Sequence, residues 1–326
     1  MCEPGDAVMC DGVDSRWLAY MRDSLGVCGE PWNHDPAGYA PTPWGWSQAT
    51  RRTFELNGFA DIALPSDADL DRWRMLSHRR TGAAVARELQ KMLNFEVWSP
   101  AIEVSDTDSL HEILTGGNYV VKSPWSSSGR GITFSTPATA TQAISRLAGT
   151  IRSQGSVMVE RMAHRAIDFA MLFNYDRGEC TPAGLSLFNT APSGEYLGNV
   201  VDTPDAIADA IARHCSAERL NAIAQALPRA LTAIIGTNYC GPIGVDMLVD
   251  VDGVIDPVVE INFRYTMGFV ATALQRHVDA PATFTVTRGD SGKSRCEIIK
   301  GGKLCGGTLS LTPPGGDFSF VLAINQ

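Results

Sequence analysis

Hydrophobic positions change period along this chain, and the changes mark out its elements. In SRWLAYMRDSLG, Trp17, Leu18, Met21 and Leu25 share one helical face and Gly26 ends the run, so a helix follows a short strand in DAVMCDG. GYAPTPWGWS reads as a loop. After it, QATRRTFELNGF predicts a helix, DIALPSD a strand and DADLDRWRML a third short helix. Ala84, Val85, Leu89 and Met92 recur at helical spacing and predict a longer helix from Thr81 to Leu93. FEVWSPAIEV is extended, and TDSLHEILTGG is a helix capped by either Asp106 or Thr107 and stopped by Gly116 and Gly117. NYVVK reads as a strand, SVMVERM as another apolar strand ending in charge, and IDFAMLFNY has the composition of a strand.

Two helices come next: TPDAIADAIARH, with Pro204 in its first turn, and SAERLNAIAQALPRALTAIIG, which Gly236 ends and in which Pro228 is a candidate kink. IGVDMLVD and GVIDPVVEINFR then form two strands joined through VDG, an Asp-Gly hairpin signal. TFTVTRG, CEIIKGG and FSFVLAIN add strand-like pieces near the end. The pattern predicts an α+β protein, mainly antiparallel after residue 100 and preceded by a small α/β unit.

Length and composition narrow this picture. A chain of 326 residues exceeds what one core usually organises, and 44% hydrophobic with 19% charged residues is a globular composition. The start, MCEPGDAVMC, has neither the positive nor the apolar region of a signal peptide, and no uninterrupted apolar run is long enough to span a bilayer, so a cytoplasmic protein is expected. A formal charge of -9 with dispersed Lys and Arg argues against nucleic acid as a partner, and the lack of a long uninterrupted apolar run argues against a membrane. The eight cysteines contain no CxxC pair and are expected to be reduced and mostly buried.

Candidate chemistry begins at the hairpin. Side chains alternate along a strand, so Glu260 and Asn262 point the same way and Asp246 on the partner strand can sit opposite them. Two carboxylates and an amide oxygen make a hard, all-oxygen set suited to Mg²⁺, while the same residues also fit the polar outer face of a ribbon. The other face is apolar throughout, from Ile243, Val245, Met247 and Val249 to Val259, Ile261 and Phe263. Arg264 follows two residues later, where it could neutralise a phosphoryl group or an oxyanion. In YVVKSPWSSSGRGITF, Lys122 ends a strand and Ser126, Ser127, Ser128, Gly129, Arg130 and Gly131 offer hydroxyls and backbone N–H groups to phosphate. It is neither a Walker A loop nor a Rossmann fingerprint, because the lysine precedes the glycines. Glu160 closes one strand and Asp168 opens the next, carboxylates of a kind that can accept from an adenine amino group and from ribose hydroxyls, a weak signal without the other elements.

In their order, these elements resemble the ATP-grasp superfamily from about His78 to Met267. The resemblance implies an ATP-grasp fold of two α+β subdomains clasping ATP, with residues 1–77 as a preceding α/β domain, 78–163 as the lid subdomain and 164–326 as the subdomain with the metal site. It implies that Lys122 contacts the nucleotide, that Ser126 to Gly131 close over the phosphates, and that Glu160, Arg161, Met162 and Ala163 hold adenine. Asp168 then takes the ribose, and Asp246, Glu260 and Asn262 bind two Mg²⁺ ions, with Mn²⁺ as a substitute. The implied reaction activates a carboxylate as an acylphosphate that an amine or thiol attacks, releasing ADP and phosphate, with Lys122 and Arg264 as the catalytic cations.

The implied partners are small-molecule or peptide carboxylates and amines, and a homodimer is compatible with them. A phosphotransferase on the same scaffold and a nucleotide-binding protein without turnover are the competing readings. Two departures stand out. Many members carry an arginine where this chain has Gly244, a role Arg264 is expected to fill, and a basic residue at the start of the lid corresponds to either Arg79 or Arg80. Tyr196 and Asn199 are candidates to face a substrate, Trp125 either packs the loop base or meets substrate, and residues 288–316 have no assigned chemistry.

Overall fold

The computed structural model describes residues 2–9, 12, 14–27, 29–60, 64–126, 131–191, 193–289 and 297–324. The N-terminal part holds β1 (Ala7–Val8), α1 (Ser15–Leu25), β2 (Glu30–Pro31), α2 (Gln48–Leu56), α3 (Asp67–Leu76) and α4 (Arg79–Met92). β1 and β2 pair in parallel, which gives the short α/β start its only sheet among the described residues. Asp14 caps α1 through the Arg16 and Trp17 amides, and Gly26 ends it in the left-handed region. Ser66 and Asp69 form a capping box at α3. That cap corrects the reading of DIALPSD as a strand: Leu64 to Ser66 run irregularly into α3, and 61–63 lie outside the described residues.

A four-stranded sheet follows, from β3 (Ile102–Val104), β4 (Tyr119–Lys122), β5 (Ile132–Ser135) and β6 (Val157–Arg161) in the order β3-β6-β4-β5. Helices α5 (Thr107–Thr115) and α6 (Ala140–Gln154) cover one face, where Val104, Val121, Val157 and Val159 are buried against Leu110, Leu114 and Leu147. Asp106 is the cap of α5, accepting from the Ser109 amide. The opposite face, with Val120, Lys122, Met158 and Glu160, turns toward the rest of the molecule by strand alternation.

The remaining sheet comprises β7 (Arg165–Asp176), β8 (Glu179–Thr190), β9 (Tyr196–Val201), β10 (Cys240–Asp250), β11 (Ile255–Asn262), β12 (Ala282–Arg288), β15 (Thr308–Ser310) and β16 (Phe318–Ile324). Its order is β11-β10-β7-β8-β9-β12-β16-β15. Helices α7 (Pro204–Ala212) and α8 (Ala217–Ile235) pack with α4 on one face, whose core contains Phe169, Phe173, Ile223, Leu227, Val245 and Ile261. Burying such side chains is worth about 1.5–3 kcal/mol each, so the odd-numbered face of β7, β10 and β11 fixes their register. A second core joins α1 to α9 (Met267–Leu274), β12 and β16 through Met21, Leu25, Ala271 and Phe284. The hairpin of β13 (Ile298–Lys300) and β14 (Lys303–Gly306) lies beside it. No helix among the described residues is long and apolar enough to cross a membrane.

Candidate active site

The even-numbered face of the large sheet is what the core leaves free. Asp246 on β10 pairs directly with Glu260 on β11, Gly244 pairs with Asn262, and Leu248 pairs with Asp256. Two extra residues of β11 are absorbed between Glu260 and Asp256, where Pro257 can donate no ladder hydrogen bond. On the far side of β10, Asp168 pairs with Leu248 and Ala170 with Asp246. Strands lie about 4.8 Å apart, so Asp168 and Asp256 share one row roughly 10 Å from each other.

The four-stranded sheet faces this row with a buried ion pair. Glu160 pairs with Val120 and Lys122 with Met158, which puts both charged side chains on one face in diagonal contact. Lys122 Nζ lies 2.5 Å from Glu160 Oε1, and Lys122 is only 3% exposed. Asp256 is the third member of this cluster: burial raises its pKa, the Glu160 carboxylate raises it further, and Lys122 opposes both. Sequence reading passed over Asp256, although it shares even parity with Glu260 and Asn262 on the same strand.

At the hairpin the predicted ligands come together. Asn262 Nδ2 donates to Asp246 Oδ2 at 3.0 Å, and Arg264 Nη2 donates to Asn262 Oδ1 at 2.8 Å. Asp246 keeps one edge open to the cleft but is otherwise packed about by protein. Burial, with Glu260 opposite, pushes its carboxyl up to about 7 against the pull of Asn262, Arg264 and Arg79. Two facing carboxylates, one of them held well above the ordinary range, form a donor set that a hard divalent cation would relieve. The Asn262 oxygen is taken up by Arg264 here and could join that set only on exchange of this bond.

Of the two candidate arginines, Arg79 faces this site. Its Nη2 is 3.1 Å from Glu260 Oε1 and donates to Ser126 Oγ at 3.2 Å, and its Nε donates to the Ser123 carbonyl. Arg80 turns to the buried His78 and to Glu103. Burial and the Arg80 charge lower the pKa of His78, and its neutral Nδ1 accepts from the Arg80 amide as the cap of α4. Gly131 has φ +69°, and a Cβ there would stand 2.6 Å from Ser123 Oγ, so only glycine closes the loop base. Ser127, Ser128, Gly129 and Arg130 lie outside the described residues.

Trp125 packs the base of this loop. Its indole N–H donates to the Arg74 carbonyl, its ring meets His78 edge-on at 4.6 Å, and the Arg74 guanidinium lies 5.1 Å over it. Asp168 accepts from the Thr190 hydroxyl at 2.6 Å. Arg161, Met162 and Ala163 line a narrow cleft with Lys122, Trp98 and Asp256, and the Met162 amide donates to the Asn118 carbonyl. The buried Trp98 indole N–H in that cleft has no hydrogen-bond acceptor among the described residues.

Beside the carboxylates, a cavity of about 450 Å³ is also lined by Tyr196, Asn199 and Ser186. The Tyr196 hydroxyl donates to Asn199 Oδ1, and Asn199 Nδ2 donates to Ser186 Oγ at 2.8 Å. Gly244 faces Thr266, whose methyl would stand 2.8 Å from any Cβ at that position, so no arginine fits there. Cys180, Cys215, Cys240 and Cys305 carry free thiols, the first two and Cys305 half-buried and Cys240 exposed, so the expected burial is not found for these four. Among the described residues, no cluster of three or more His, Cys, Asp or Glu side chains is arranged to hold a metal ion. The candidate set has two carboxylates and one amide.

The fold is the ATP-grasp fold, α+β and preceded by a small α/β domain. Biotin carboxylase from Campylobacter jejuni in complex with β-γ-ATP superposes with a TM-score of 0.54 at 12% identity, over 78% of this chain and 64% of that one. Carboxyaminoimidazole ribonucleotide synthase from Aspergillus clavatus, complexed with ATP, gives 0.52 at 13% identity over 95% and 90%. L-amino acid ligase from Bacillus licheniformis gives 0.52 at 12% identity over 85% and 74%. No protein-family model matches the chain, and no curated protein matches it.

Proposed function

We propose that the protein is an ATP- and Mg²⁺-dependent ligase that activates a carboxylate as an acylphosphate for attack by an amine, releasing ADP and phosphate. The carrying observation is that Lys122 and Glu160 face the row of Asp168 and Asp256, with Asp246, Glu260 and Asn262 beside it. In this reading residues 1–77 precede the grasp, 78–163 form its lid, and 164–326 carry the metal ligands. ATP as found in the carboxylase and synthase complexes supports the same assignment.

Lys122 holds phosphate oxygens, fixed on its strand by Glu160. Glu160 and the segment Arg161 to Ala163 surround adenine, Asp168 takes the ribose, and Ser126 to Gly131 close over the phosphates. Asp246, Glu260 and Asn262 would hold Mg²⁺, which when bound neutralises phosphate charge beside them. Arg264, tied to Asn262, faces the 450 Å³ cavity and stabilises the charge that develops as the carboxylate oxygen bonds to the γ-phosphorus. The amine then attacks the acyl carbon and phosphate leaves. Positioning and charge do this work, with no side chain needed as a covalent nucleophile.

Hydroxylamine tests the reading. With ATP, Mg²⁺ and a panel of carboxylic acids, the ligase forms ADP, phosphate and a hydroxamate in equal amounts. A phosphorylated product that persists with amine present would mark a phosphotransferase instead. Absence of ADP with every acid would remove the reading.

A further inference from the structure

On the other side of Arg264 lies a larger cavity of about 760 Å³ that the reaction described above does not use. Arg264 and Trp44 line both this cavity and the one holding Asp246 and Glu260, so they form a wall common to the two. The loop Trp44-Gly45-Trp46 is pressed onto that wall. A Cβ at Gly45 would stand 3.0 Å from Arg264 Cβ, and the Tyr265 amide donates to the Trp44 carbonyl at 2.9 Å. Aromatic rings of Trp44, Trp46, Trp73, Tyr239 and Tyr265 provide the apolar surface. Trp73 is fixed by its indole N–H on the Asn238 carbonyl and by edge-on contact with Tyr239.

The charges on this surface have one sign to spare. Asp71, Asp176 and Glu179 line the cavity and make no ion pair among the described residues. These three carboxylates stand against two lining cations, Arg74 over the Trp125 ring and Arg264 bonded to Asn262 Oδ1 and to the Tyr265 carbonyl, so the lining keeps a net negative charge. Aromatic faces and an excess of carboxylates over cations around a space of this size select a cation with an apolar body.

We propose that this cavity binds an organic cation, and that the cation is the distal charged end of the amine nucleophile. The nucleophile is then a diamine or an amine with a second basic group. The carboxylates hold its far ammonium, while the near amine reaches the wall at Arg264. A fixed guanidinium there disfavours a second positive charge, which leaves that amine neutral and able to attack. Binding of the cation stands on the cavity alone; its role as nucleophile rests on the ligase reading.

Tryptophan fluorescence titration without ATP separates the two. The probe is 1,5-diaminopentane, with pentane-1,5-diol and glutarate as neutral and anionic controls of equal length. The diamine is expected to bind at least about tenfold more tightly than either control. The combined variant Asp71→Asn, Asp176→Asn, Glu179→Gln, all at exposed positions, is expected to lose that preference. Equal binding of diamine and glutarate, or an unchanged preference in the variant, overturns the cavity assignment even where hydroxylamine turnover stands. Diamine binding without diamine-dependent amide formation, in an enzyme that does form hydroxamate, overturns the nucleophile assignment. Diamine binding with amide formation at lower amine concentration than hydroxylamine needs supports both.

Discussion

The Arg79 guanidinium stands 3.1 Å from the Glu260 carboxylate, so the first turn of α4 delivers a cation to the strand that carries the proposed metal ligands. Arg79 also reaches Ser123 and Ser126, and so ties that strand to the base of the loop above the cleft. Its neighbour Arg80 is turned away.

Arg79→Lys is therefore expected to lower kcat/KM for ATP by about 10²-fold, because one ammonium cannot reproduce the forked contacts. Arg80→Lys is expected to stay within about threefold of the wild type, since exposed ion pairs contribute little. ADP release assayed side by side decides it, and equal effects would contradict the assignment.

Glu260→Gln keeps the shape of the site and removes one of its two facing carboxylates. ADP formation is expected to fall at least about 10²-fold, with the circular dichroism spectrum unchanged. Asp246→Asn is expected to behave likewise. Near-normal turnover in either variant would take the metal assignment away from this hairpin.

Gly131→Ala forces a residue with a Cβ into φ +69° and against Ser123 Oγ. The conformational cost alone is about 1–2 kcal/mol. Because Gly131 closes the loop base through its carbonyl to the Ser123 amide, the expected outcome is a raised KM for ATP with a smaller change in melting temperature. A drop in melting temperature with ATP affinity intact would assign Gly131 to folding alone.

A pH series on Asp256 has a definite sign. Burial and Glu160 raise its folded pKa above the ordinary carboxylate value, so the folded state holds the proton more firmly than the unfolded chain. Stability is then lost as pH rises from the ordinary value, 3.8, through the raised one. Asp256→Asn is expected to melt several degrees above the wild type at pH 8, with the difference shrinking below pH 5. Its Oδ1 still accepts from the Val258 amide, so the fold keeps that bond. A difference independent of pH would contradict the shift.

The hairpin at Asp246 and Glu260 was legible in the sequence because strand alternation separates its carboxylates from an unbroken apolar face. Lys122 and Glu160 were legible as strand ends, but not as a pair, since a diagonal contact depends on the register of β4 against β6. Helix α6 went unread although Ala140, Ala143 and Leu147 anchor it: Thr, Ser, Gly and Gln interleave with its apolar positions and dilute the helical period. The start of α4 was placed two residues late because its cap is a histidine, which no capping rule lists among the favoured residues. Trp125 was legible only as packing the loop base or meeting substrate, and the choice between them was not, because its partners His78 and Arg74 lie about 50 residues away in sequence. The aromatic cavity was invisible for the same reason, since its walls come from the Trp44 loop, α3 and the start of β10.

The claim underlying all of this is that a carboxylate oxygen attacks the γ-phosphorus. The direct test supplies a carboxylic acid that supports turnover, labelled with heavy oxygen in its carboxyl group, together with ATP, Mg²⁺ and hydroxylamine, and reads the released phosphate by phosphorus NMR. An acylphosphate pathway predicts one labelled oxygen in each phosphate formed. Phosphate free of label, alongside full hydroxamate formation, would contradict the account.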